Sequence, residues 1–142
     1  MKWVQDVHDF HAKNRIPQNQ HFPDMTEISE DDQPSFETLR QLAESMFQWY
    51  EATGNLVYLR MHLMLEEVYE TCLAMINGEK VETLDGLIDL IYVTIGTALT
   101  FGLPIELGWI EVQRSNMTKE TTHIRCRDKG ANYSPPDLEK LF

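Results

Sequence analysis

Basic residues are scarce in this chain. Twelve Lys and Arg face 23 Asp and Glu across 142 residues, a formal net charge of −11. That balance argues against general nucleic-acid binding, which neutralises phosphates with Lys and Arg, and it suits a protein that collects cations. Cysteine is scarcer still. Cys72 and Cys126 stand far apart and form no CxxC pair, so neither a zinc site nor a disulfide framework is expected, and a reducing cytoplasm (a host's, if the chain is phage-encoded) is the simpler setting. Strand-like alternation is missing, as is any internal repeat. Residues 1–15 mix acids with histidines and lack the apolar core of a leader. One long apolar run exists, Gly86 to Ile105, with Asp89 as its single charge. Gly96, Gly102 and Pro104 interrupt it, its flanks are not basic, and a mid-span aspartate is costly in a bilayer. No membrane partner is expected.

What is present fits one domain with its own core: 142 residues and 42% hydrophobic content. Helical spacing of Trp3, Val4, Val7, Phe10 and His11 predicts a short amphipathic helix over 2–13. Residues 14–34 hold three prolines and no periodicity. Their latter part runs into an acidic, base-free stretch (Asp24, Glu27, Glu30, Asp31, Asp32, then Glu37) that reads as a solvated linker. Helices follow over about 35–52, 56–76, 81–101 and 104–117, punctuated by Gly54-Asn55, Asn77-Gly78, Gly102 and a first-turn Pro104. Residues 118–142 read as an irregular tail. The expected architecture is an all-α bundle of four to five helices spanning 1–142, with its core at about 56–119.

Two of these helices carry acids in apolar company. Positions three and four apart share a helix face, which aligns Glu67 and Glu70 on the first, with Glu66 beside them, and Asp85 and Asp89 on the second. An acid set among leucines and isoleucines is costly without a compensating cation, and Asp89 is the clearest case. Hard carboxylate oxygens on two adjacent helices suit Mg²⁺ or Mn²⁺, which commonly bridge to substrate phosphates. Against this acidity, five of the twelve bases fall between 114 and 129: Arg114, Lys119, Arg125, Arg127 and Lys129. Such a segment asks for an anion, and cations sharing phosphate charge with metal ions is how phosphoryl chemistry proceeds. Asn116 adds an amide for water or phosphate. Trp3, Trp49, Trp109 and Tyr133 offer rings for a base, although aromatics at helical spacing more often serve the core.

The run Glu66-Glu67-Val68-Tyr69-Glu70 followed by Asp85 and Asp89 resembles the EExxE…ExxD signature of the all-α nucleoside triphosphate pyrophosphatases, the MazG-like family with its phosphoribosyl-ATP pyrophosphohydrolase-like fold. Asp89 to Ala98, Glu111 to Lys119, Lys129 to Tyr133 and Pro135-Pro136-Asp137 are similar to its small phage and bacterial branch. The likeness covers roughly 56–140. One position departs: three residues before Asp89, where the signature has Glu, this chain has Gly86, and the acid is Asp85, still on the same face.

The resemblance implies Mg²⁺- or Mn²⁺-dependent hydrolysis of an NTP or dNTP to the monophosphate and pyrophosphate, in a homo-oligomer (dimer or dimer of dimers) with sites at subunit contacts. Carried over, Glu67, Glu70 and Asp89 are metal ligands and Asp85 the fourth. Glu66, with Glu67 counted as catalytic, is a further ligand or positions the attacking water. Asn116 and Lys119 address the phosphates, with Arg114, Lys129 and Tyr133 as further substrate contacts. A guanine nucleotide is the first choice of substrate. Two other readings compete: a non-catalytic helical module whose acids greet a basic partner, and a di-metal carboxylate redox protein. The latter needs two Glu-x-x-His pairs, and only Glu120 with His123 matches.

Overall fold

Apolar residues recurring every three to four positions, cut by turn residues, give five helices in the computed structural model, which describes residues 2–22, 35–120 and 129–142. They are α1 (Lys2–Lys13), α2 (Glu37–Thr53), α3 (Leu56–Ile76), α4 (Lys80–Thr100) and α5 (Ile105–Met117), with one 3-10 turn at Glu139–Leu141. No strand occurs among the described residues, and the all-α expectation holds. The acidic stretch with Asp24, Glu27, Glu30, Asp31 and Asp32 lies outside the described residues, as do His123, Arg125, Cys126 and Arg127.

The expected boundaries hold to within one or two residues. Helix α2 starts at Glu37 rather than Ser35, whose Oγ accepts from the Glu37 N–H at 3.4 Å. Pro104 occupies the cap of α5 rather than its first turn. Helix α2 ends at Gly54, where φ is +67°, a conformation in which a Cβ is strained. Asn55 then caps α3, its side chain accepting from the Val57 N–H at 2.9 Å. The tail is less irregular than expected, since its last residues form the 3-10 turn.

The chain divides into two units, His21–Gly102 and Met1–Gln20 with Leu103–Phe142. In the first, α3 packs against both α2 and α4. Arg60 of α3 lies against Gly96 of α4, where a Cβ would come within 2.8 Å of its guanidinium. It donates to Val93 O at 2.6 Å and Thr97 Oγ1 at 3.1 Å, so the space left at Gly96 is taken by this side chain. In the second unit α1 packs on α5. Trp3 stacks on Trp109 with centroids 4.8 Å apart, and the Trp109 indole N–H donates to Asp6 at 2.8 Å. Two of the four candidate aromatics therefore pair with each other.

Buried apolar side chains among the described residues are small: Ala43, Ala74 and Ala98. Large ones remain outside. Helix α4 shows Val81, Leu84, Ile88, Ile91 and Leu99 at helical spacing, with Val81 75% and Leu99 72% exposed. By length and composition alone α4 could cross a membrane, but it carries Glu82, Asp85 and Asp89 in its first three turns. Helix α4 thus leaves a row of large apolar side chains uncovered.

Candidate functional site

Helices α3 and α4 meet as consecutive partners, and the i, i+3/i+4 spacing aims Glu67 and Glu70 from one, Asp85 and Asp89 from the other, into an open cleft of about 270 Å³. All four line it, with Gly86, Ala74 and Asn77. Glu67 and Asp89 are half-buried, whereas Glu70 and Asp85 are exposed. Although set among leucines and isoleucines in the sequence, Asp89 sits at an open cleft and not in a closed interior.

The electrostatics of the cleft are one-sided. The Glu67 carboxyl is held above its ordinary range, first by burial and then by the charges of Asp89, Glu70, Glu66 and Asp85. None of the side chains of Glu67, Glu70, Asp85 and Asp89 has a hydrogen bond or ion pair among the described residues. Crowded, unpartnered carboxylates are the donor set of a hard divalent cation. No three acids, His or Cys among the described residues already close around a single point. Mg²⁺ does not need them to, because it keeps several waters and takes one or two carboxylates plus substrate phosphate oxygens. The donor chemistry of the cleft therefore fits such an ion.

Glu66 behaves differently from its neighbours. It faces His62 at 3.5 Å, and His62 in turn bonds the Ala43 carbonyl of α2 at 3.0 Å through Nδ1 and packs against Phe47 at 4.9 Å. Glu66 is not part of the cleft lining but stays close enough to raise the Glu67 carboxyl. Two further acids, Glu79 and Glu82, not among the residues expected from the sequence, line it as well. The signal was available: Glu82 stands three residues before Asp85 and seven before Asp89, one turn up the same stripe.

The downstream candidates Arg114, Asn116, Lys119, Lys129 and Tyr133 belong to the unit built on α1 and α5. Arg114 is engaged within it. It pairs with Glu111 at 2.7 Å and donates to Ser134 Oγ and Pro135 O at 3.1 and 3.0 Å. Glu111, only 6% exposed, also pairs with Lys140 at 2.9 Å and accepts from the Asp137 N–H at 2.9 Å. The Arg114 bond, then Asp137 and Lys140, hold its carboxyl far below the usual range. Glu111 thus docks the tail, a role its place in an exposed-looking sequence did not reveal. Lys119 donates to Asn116 Oδ1 at 2.7 Å and sits over the Phe10 ring at 5.7 Å. Lys129 lies 4.5 Å from the Tyr133 ring centroid. The Tyr133 hydroxyl is pulled below its ordinary range by a hydrogen bond from Ser115 and then by Lys129 and Lys119. Lys119, Lys129 and Tyr133 thus lie near one another within this unit.

Compared with known families, residues 36–116 match the model described as phosphoribosyl-ATP pyrophosphohydrolase. The match covers α2 to α5 and includes every acid of the cleft. No curated protein and no solved structure matches the chain.

Proposed function

From the premise that this chain belongs to the phosphoribosyl-ATP pyrophosphohydrolase family, whose members hydrolyse phosphoanhydride bonds in nucleotides, we propose a divalent-metal-dependent pyrophosphohydrolase that converts an NTP or dNTP to its monophosphate and pyrophosphate. The observation that carries this reading is the cleft itself: four unpaired carboxylates on facing helices, with Glu67 raised by burial and by its neighbours. Glu67, Glu70, Asp85 and Asp89 hold the ion. A bound Mg²⁺ or Mn²⁺ supplies neutralisation of phosphoryl charge and a lower pKa for the attacking water. Glu66, which faces His62 at 3.5 Å, orients that water or joins the ligands. Asn116 and Lys119 are the phosphate contacts that the family resemblance implies, with Lys129 and Tyr133 beside them in the unit of α1 and α5. Arg114 is the weaker candidate, because Glu111 already occupies it.

Substrate choice is proposed on narrower support. The likeness of residues 85–137 to phage-type members favours GTP or dGTP, while the family's description favours phosphoribosyl-ATP. The exposed apolar stripe of α4 supports a homo-oligomer, a dimer or dimer of dimers. A panel of all NTPs, dNTPs and phosphoribosyl-ATP with Mg²⁺ and with Mn²⁺ tests the reading. Pyrophosphate release from at least one substrate, lost in Glu67→Gln, supports it. No turnover across the panel favours a non-catalytic helical module instead.

A further inference from the structure

We propose that Thr71 and Gly86 form a positioning pair that sets the separation of the two carboxylate pairs and closes position 86 to any side chain, an inference that rests on the cleft being a divalent-cation site. A Cβ placed on Gly86 would lie 2.5 Å from Thr71 Oγ1 and 3.2 Å from both Cα and Cβ of Thr71. The hydroxyl is not free to swing aside without loss, because Thr71 is 4% exposed and its Oγ1 donates to Glu67 O at 2.7 Å. The Cα cannot swing at all. A side chain at 86 therefore drives α3 and α4 apart by about 1 Å before an ordinary contact of about 3.5 Å returns.

The contact lies at the centre of the acid set. Thr71 directly follows Glu70 and stands one turn beyond Glu67, and Gly86 lies between Asp85 and Asp89. Any parting of the helices at this point is passed to all four carboxylates. Gly96, further along the same helix, is a useful contrast: an added Cβ there meets the far end of the flexible Arg60 side chain, which can move. A glycine inside a helix carries an entropic cost, and the backbone approach at Thr71 is the reason position 86 bears it. The acid therefore stands at Asp85, because an acid one residue later would break the contact that holds the cleft together.

Calorimetric titration with Mn²⁺ alone tests the pair, on the wild type, Gly86→Ala and the double variant Thr71→Ala/Gly86→Ala, with helical content followed by circular dichroism. Removing the hydroxyl leaves nearest contacts of 3.2 Å, which a shift of a few tenths of an ångström relieves. Gly86→Ala is expected to keep its helical content and lose about 10–100-fold in Mn²⁺ affinity, and the double variant to regain most of it. Wild-type affinity in Gly86→Ala, or a double variant as weak as the single one, overturns the proposal. Where Gly86→Ala fails to fold, the double variant decides: folding with Mn²⁺ binding supports the pair, and failure of either overturns it. A wild type that binds no Mn²⁺ overturns the cation-site reading and this inference with it, whereas binding in which Gly86→Ala matches the wild type overturns the pair alone.

Discussion

Replacing Asp89 by Asn should move stability in opposite directions with and without metal. Asp89 stands four residues from Asp85 on the same face and, after burial, is the strongest influence raising the Glu67 carboxyl. A like-charge pair at i, i+4 costs about 0.2–0.5 kcal/mol on a helix surface. Relieving one such pair and the cross-helix repulsion with Glu67 should stabilise the metal-free protein by about 0.5–1 kcal/mol, a rise of about 2–4 °C in Tm. With Mn²⁺ at about one hundred times the wild-type Kd, the wild type gains about 2.7 kcal/mol, or about 10 °C. Losing a direct ligand weakens affinity at least about 100-fold, beyond what outer partners contribute. The variant then gains only about 0.4 kcal/mol from the same Mn²⁺. Paired thermal melts with and without Mn²⁺ read both numbers. A variant less stable than the wild type without metal, or one that keeps the full Mn²⁺ shift, refutes the reasoning.

Other consequences follow from the same contacts. Because the Glu67 carboxyl is raised in the folded state, the fold binds its proton more tightly than the unfolded chain does. Metal-free stability from this group is therefore greatest below the ordinary carboxylate value of 4.5 and declines as pH rises through the folded value. Mn²⁺ competes with that proton, so the Mn²⁺-induced shift in Tm should grow between about pH 5 and pH 7.5; a larger shift at the lower pH contradicts this. Glu111→Gln weakens the pairing of Arg114 and Lys140, and limited proteolysis should then cut residues 129–142 earlier than in the wild type while sparing α3 and α4. Ile91→Lys charges the exposed stripe of α4, and sedimentation should show a shift towards smaller species with helical content retained. An unchanged oligomeric state removes α4 as the interface.

Much of the helical framework was legible in the chain because its signals are local. Apolar spacing within 56–76 and the Asn77-Gly78 stop are properties of neighbouring residues, and the same holds for the Gly102 and Pro104 break. The carboxylate faces were legible for the same reason, since i, i+3/i+4 arithmetic needs only a helix. What eluded it depends on register between elements. The bond from His62 to the Ala43 carbonyl joins α3 to α2 beside Glu66, and nothing in either segment alone announces it. The contact of Thr71 with Gly86 requires knowing which turns of α3 and α4 meet, so Gly86 read only as a missing acid. Glu111 looked like one more acid on a helix until the tail, with Asp137 and Lys140, was found folded onto it. The partial exposure of Asp89 was not legible in its apolar neighbours, because an apolar helix need not be a covered one: α4 leaves much of its apolar surface outside.

The central claim is that the cleft between α3 and α4 cleaves a nucleotide to release pyrophosphate. Phosphorus NMR of the products, taken from wild type and Asp89→Asn incubated with Mg²⁺ and the best substrate of the panel, tests it most directly. Nucleoside monophosphate and pyrophosphate are expected from the wild type, and neither from a folded Asp89→Asn. Nucleoside diphosphate with orthophosphate, or equal turnover by the variant, would contradict it.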